Sequence, residues 1–117
     1  MQFDKGQRAE QTACQFLQTQ GLQFIAQNFT GPQGEIDLIM KDKEYYVFVE
    51  VRYRHDESFA EIIESISPAK LHRIRRTAEY YLLQQHLLDK VDCRFDIICS
   101  SFDCDIDWII NAFEVQY

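Results

Sequence analysis

A chain of 117 residues, 46% hydrophobic and 14% aromatic, can bury a real core but is too short for two ordinary domains, so a single domain over 1–117 is expected. A formal net charge of −7 argues against a uniformly basic nucleic-acid binder, and four glycines and two prolines argue against a linker-rich chain. No run approaches the ~18 apolar residues that span a bilayer, and MQFDKGQRAEQ lacks the charged-then-apolar layout of a secretion signal, so a cytoplasmic protein with no membrane partner is expected.

The first segment, Asp4 to Gln20, carries Ala9, Ala13, Phe16 and Leu17 at helical spacing, with Gly21 as its stop. Glu10 lies at the edge of that apolar stripe. Leu22 to Phe29 reads as a strand with Leu22, Phe24 and Ala26 on one face and Gln23, Ile25 and Gln27 on the other. Thr30 to Gly34 is a turn cluster. Glu35 to Met40 is a second strand, on which Ile36, Leu38 and Met40 alternate with Glu35, Asp37 and Ile39. Lys41-Asp42-Lys43 suits a hairpin connection. Tyr45 to Arg54 is a third strand, rich in aromatic and β-branched residues, with Phe48, Glu50, Arg52 and Arg54 on one face.

His55 to Ser67 reads as a loop with at most one helical turn. Ser67-Pro68 then gives an N-cap and a proline at the first helical position. The helix it opens runs to Gln85 or His86, with Leu71, Ile74, Ala78, Tyr81, Leu82 and Gln85 as its buried stripe. Strands follow at Cys93 to Ser100 and Asp105 to Phe113. The order α-β-β-β-α-β-β predicts an α/β sandwich with a mixed five-stranded sheet and flanking helices. The long helix serves as the crossover to a parallel neighbour.

Asp37 and Glu50 interrupt strands otherwise suited to burial. A lone buried carboxylate costs several kcal/mol unless it is paired or metal-bound, and two close together repel. A hard divalent cation, Mg²⁺ or Mn²⁺, resolves that conflict, because it takes one or two carboxylates plus water and phosphate. The Val51 carbonyl is a candidate further ligand, and Glu10 a candidate third acid, direct or through water. Arg52 shares the face of Glu50 and sets positive charge beside it. Such a set can polarise a phosphoryl oxygen and stabilise charge growing on phosphorus. Equally, the two acids can be ordinary partners of Arg52, Arg54 or Arg94 at a sheet edge. Half of the twelve Lys and Arg residues are Arg52, Arg54, Lys70, Arg73, Arg75 and Arg76, so an acidic body with one basic face is compatible with the composition, as is a merely solvated helix face.

Gly34-Glu35-Ile36-Asp37-Leu38-Ile39, then a short hairpin, then Val47 to Arg54, resembles the YraN-like uncharacterised bacterial family. That family is similar to the PD-(D/E)XK nucleases, including the archaeal Holliday-junction resolvases. Gly6 to Glu10, Ser67-Pro68-Ala69-Lys70 and Arg94-Phe95-Asp96 extend the resemblance over nearly the whole chain. The resemblance implies a restriction-endonuclease-like fold and a metal-dependent nuclease acting on DNA, with branched or processed DNA as one class of substrate. It matches Asp37 and Glu50 to the metal-binding acids and Glu10 to a first-helix glutamate. Arg52 stands where the superfamily usually has lysine. Arginine stays charged and is a poor general base, so Lys70, or water on the metal, is the candidate to compensate. Arg52, Arg54, Lys70, Arg73, Arg75 and Arg76 would contact nucleic-acid backbone.

Two alternatives come from other classes: a nucleic-acid-binding module that has lost turnover, and a protein-interaction domain, which the acidic total favours. A homodimer would let so small a domain embrace a duplex, though no sequence feature marks one. Glu35 is a neighbour of Asp37 on its face or a partner of Arg54, and Asp96 a structural partner of a core arginine. His55, His72 and His86 lack ligand spacing. Trp108, Tyr45-Tyr46 and Tyr80-Tyr81 read as packing residues. Cys14, Cys93, Cys99 and Cys104, without a CxxC pair, read as reduced thiols.

Overall fold

A computed structural model describes residues 5–54, 58–101 and 105–114. His55 and Cys104 lie outside the described residues, as does the side chain of Arg54. The elements are α1 (Lys5–Thr19), β1 (Gln23–Gly31), β2 (Gly34–Asp42), β3 (Tyr45–Arg54), α2 (Phe59–Glu64), α3 (Pro68–Gln84), β4 (Asp92–Ser101) and β5 (Ile106–Phe113). The strands form one mixed sheet in sequence order. Only β3 and β4 are parallel; the other neighbours are antiparallel. The stretch before α3 holds more helix than one turn: Ser58 caps α2 by accepting the Glu61 N–H, and Ile62 and Ile66 bury against Ile97 and Cys99 of β4.

One face of the sheet packs on α1. There Ala13 and Leu17 meet Leu38, Met40, Val47, Val49 and Ile98. Gly21 ends α1 at φ +95°, a conformation free of cost only without a Cβ. The other face packs on α3, where Ile74, Ala78, Tyr81 and Leu82 cover Ile39, Phe48 and Phe95. Thr77 is fully buried on that stripe, Leu71 is only partly buried, and Gln85 is exposed because it caps the helix from beyond its last turn. The Thr77 hydroxyl donates to the Arg73 carbonyl at 2.7 Å, which is how a polar group is tolerated there.

Strict alternation fails in β1 and β2. A register shift between Phe24 and Ala26 leaves Phe24 41% exposed and lets both Ile25 and Ala26 pack on the α3 side. Ala26 and Phe29, three residues apart, share that side, with Asn28 between them at φ +54°. Their partners Ile39 and Ile36 share it too, so Ile36 does not face the same way as Leu38 and Met40. Strand β2 also continues through Asp42, and the hairpin to β3 turns at Lys43, φ +55°, and Glu44.

A buried polar network pins the far side of the sheet. Asp96, 1% exposed, accepts from Arg94 Nε at 3.1 Å, Trp108 Nε1 at 2.9 Å and the Asn111 N–H at 2.9 Å. Arg94 also reaches Asp42 at 3.1 Å, tying β4 to the β2–β3 hairpin. This is the core-arginine pairing expected of Asp96. Among the described residues, no helix is long and apolar enough to cross a membrane. Asp96→Ala should lower unfolding free energy by about 2–4 kcal/mol in urea titrations, because it leaves the Trp108 indole N–H and the Asn111 N–H without their acceptor and leaves Arg94 with Asp42 alone.

Candidate metal and phosphate site

The β2–β3 ladder pairs Asp42 with Tyr45 and runs to Leu38 opposite Val49. Asp37 comes next on β2 and Glu50 next on β3, at the place where that pairing stops. Asp37 Oδ2 accepts the Val51 N–H at 2.9 Å, so the carboxylate takes up a β3 donor at the end of the ladder. Asp37 and Glu50 line one open cavity of about 260 Å³ together with Gly34, Glu35, Lys70, Arg73 and Ile74. The two acids therefore converge on the α3 side of the sheet, and Glu35 joins them at the rim.

Glu50 is only 8% exposed, and Lys70 Nζ stands 3.0 Å from its Oε1. Arg52 Nε lies 3.7 Å from the same oxygen, too far for a hydrogen bond, and is buried without a hydrogen-bond partner among the described residues. Left unpaired, such a donor costs about 1–3 kcal/mol, so an acceptor entering the cavity would be favoured there. Arg94 is not a partner of either acid, being engaged with Asp96 and Asp42.

Burial raises the Asp37 carboxyl from an ordinary value near 3.8 to about 7, with the charge of Glu50 and, more weakly, Glu10 pushing the same way. The Val51 N–H and Lys70 oppose the rise. Glu10 thus acts on Asp37 through its field, while its own Oε2 accepts from Gln27 Nε2 at 3.4 Å. Among the described residues, no three His, Cys, Asp or Glu side chains converge as a ligand set. Glu10 is not gathered with the two strand acids as a third direct ligand.

The basic residues of α3 separate by helical phase. Lys70 and Arg73, one turn apart, line the cavity. Arg75 donates instead to the Glu114 carbonyl at 3.0 and 3.2 Å, and Arg76 pairs with Glu79 at 3.2 Å. His72 and His86 are exposed. Tyr81 packs edge-on against Phe48 and Phe29, and Trp108 against Phe16, as core residues. Cys14 and Cys93 are half-buried free thiols, and Cys99 is buried.

Gly34, which ends the turn cluster and heads the segment carrying the resemblance, also shapes the site. A Cβ there would lie 3.2 Å from Thr77 Oγ1 and 3.5 Å from Arg73 Cβ, so its absence lets the β1–β2 hairpin sit close on α3. Glycine at the head of a strand is the usual signal of such an approach.

The family model described as "Uncharacterised protein family UPF0102" matches residues 9–99. A UPF0102 protein of Coxiella burnetii is 51% identical over 112 residues, covering 96% of this chain and 93% of its own. One from Shewanella oneidensis is 47% identical over 108 residues, covering 92% and 97%. One from Nitrosococcus oceani is 42% identical over 116 residues, covering 97% and 94%.

The raised Asp37 carboxyl makes stability depend on pH with a definite sign. The native state holds a proton that the unfolded chain releases near 3.8, so this contribution is full below that value and is lost as pH rises through about 7. Metal-free protein should therefore melt lower at about pH 8 than at about pH 5, and Asp37→Asn should flatten the difference.

Proposed function

The chain belongs to the uncharacterised protein family UPF0102, and we propose that it is a metal-dependent, nuclease-like protein that hydrolyses nucleic-acid phosphodiesters, on a fold of the restriction-endonuclease-like kind. The observation that carries this reading is the meeting of Asp37 and Glu50 in one cavity with Lys70 and Arg73, beside the unsatisfied Nε of Arg52. Two converging carboxylates, with Glu35 only at the rim, fit Mg²⁺ or Mn²⁺, which keep waters and substrate oxygens in their remaining positions. A set of three or four His and Cys side chains would have pointed to zinc instead.

Asp37 and Glu50 would hold the cation, with the Val51 carbonyl, next to Glu50 on β3, as a further candidate ligand and Glu10 acting through its field or a bridging water. When bound, the metal supplies Lewis-acid polarisation of a phosphoryl oxygen and a more acidic water. The chain's own residues do the rest. The Val51 N–H orients the Asp37 carboxylate. Arg52 Nε, already desolvated, donates to a phosphate oxygen and stabilises the charge that grows there. Arg73, at the exposed rim, meets the neighbouring phosphate. Arg52 has no role as a base, since a guanidinium does not give up its proton. DNA is the substrate class proposed, branched or processed forms included, with the chain acting in the cytoplasm.

A binding module without turnover is the second reading, and it rests on Arg52 in the place of lysine. Labelled duplex, single-stranded and branched DNA incubated with Mn²⁺ separate the two. The enzyme reading expects cleavage that falls at least a hundredfold in Asp37→Asn and Glu50→Gln. Absence of cleavage on every substrate, with salt-sensitive binding that weakens in Arg73→Ala, would select the binding module.

A further inference from the structure

Glu50 is a nearly buried carboxylate whose closest cation is a lysine on a different element. Lys70 Nζ sits 3.0 Å from Glu50 Oε1, whereas Arg52 on the same strand comes only to 3.7 Å and, among the described residues, makes no hydrogen bond through that nitrogen. Lys70 owes its place to the start of α3. Ser67 caps the helix by accepting the Lys70 N–H at 3.1 Å, and Pro68 occupies the first turn. The backbone of residue 70 is thus fixed, while four rotatable bonds leave its ammonium free to travel. Its side chain remains 39% exposed, and the cavity it lines gives it somewhere to go.

We propose that Lys70 is a tethered counter-ion that holds Glu50 until a divalent cation displaces it, and that it then contacts the substrate phosphate. This rests on the reading of Asp37 and Glu50 as the metal acids and adds a group that alternates between two partners. Glu50 Oε1 cannot serve an ammonium at hydrogen-bond distance and a divalent cation on the same side at full strength. Entry of the metal breaks the Lys70–Glu50 pair. The released ammonium joins Arg52 and Arg73 beside the metal, and the resulting excess of positive charge is relieved by a phosphodiester. Metal and nucleic acid should therefore bind cooperatively, each strengthening the other by the same factor.

Calorimetric titration of the full chain with Mn²⁺ alone tests the displacement. Lys70→Met should bind Mn²⁺ about tenfold more tightly than wild type, while Lys70→Arg should stay near wild type. Because loss of any nearby positive charge helps a cation, a second readout is needed. The Lys70 side-chain ε resonance, assigned by its absence in Lys70→Arg, should shift when Mg²⁺ is added to wild type and stay in place in Asp37→Asn. The Mn²⁺-loaded Lys70→Met protein should also hold a short single-stranded oligonucleotide about tenfold more weakly than loaded wild type. If wild type binds Mn²⁺ but the Lys70 resonance stays still and Lys70→Met matches wild type, this proposal falls and the metal reading stands. If neither wild type nor Lys70→Met binds Mn²⁺, and Asp37→Asn behaves like both, the metal reading falls and takes this proposal with it.

Discussion

The burial of two carboxylates where β2 and β3 stop pairing is the constraint on which the site depends. In the register of that ladder Asp37 and Glu50 fall opposite each other, so their side chains meet on one face. Because the pairing ends at Leu38 and Val49, the Val51 N–H is taken by a side chain. That exchange holds one acid in place and opens the gap the other shares. Burial and mutual repulsion then leave Asp37 poised near neutrality and Glu50 in need of a cation. The fold supplies one from α3, across the sheet from α1.

Helix α3 is therefore more than a crossover between parallel strands. Its buried stripe covers Ile39, Phe48 and Phe95, and its first turn carries Lys70 into the cavity. Its placement depends on the Ser67 cap and on Gly34, whose missing side chain admits Thr77 and Arg73. On the opposite side, Asp96 ties Arg94, Trp108 and the β5 backbone together. The two buried acids of the sheet centre thus have contrasting surroundings. Asp96 is saturated with donors and its cluster is closed. Glu50 has one half-exposed ammonium, a guanidinium nitrogen beside it with no partner among the described residues, and open space. That contrast distinguishes a structural carboxylate from a chemically available one better than burial does.

Net charge is a weak guide to such a site. The chain totals −7, yet the cavity gathers Lys70 and Arg73 beside Arg52 around its acids. Arg75 and Arg76, adjacent in sequence to those residues, are turned by helical geometry toward Glu114 and Glu79. A cluster of basic residues in sequence becomes a local field only for those on the correct side of the helix.

Element order, the parallel crossover and the identity of the two strand acids were legible from local chemistry. Hydrophobic spacing set α1 and α3, Ser67-Pro68 marked where α3 begins, and carboxylates inside apolar strands are costly enough to stand out. Residues that interrupt alternation were not legible: Asn28 at positive φ, the shift near Phe24 and the turning of Ile36 toward α3 are set by the register between β1 and β2 and by packing on α3. Nor could sequence alone decide which base answers Glu50. Arg52 is two residues away and Lys70 twenty, but side-chain reach is a matter of three-dimensional distance, and the N-terminus of α3 brings the distant one closer. Composition and periodicity act along the chain, so they fix what each segment is; the closing of one segment on another fixes what its charged groups face.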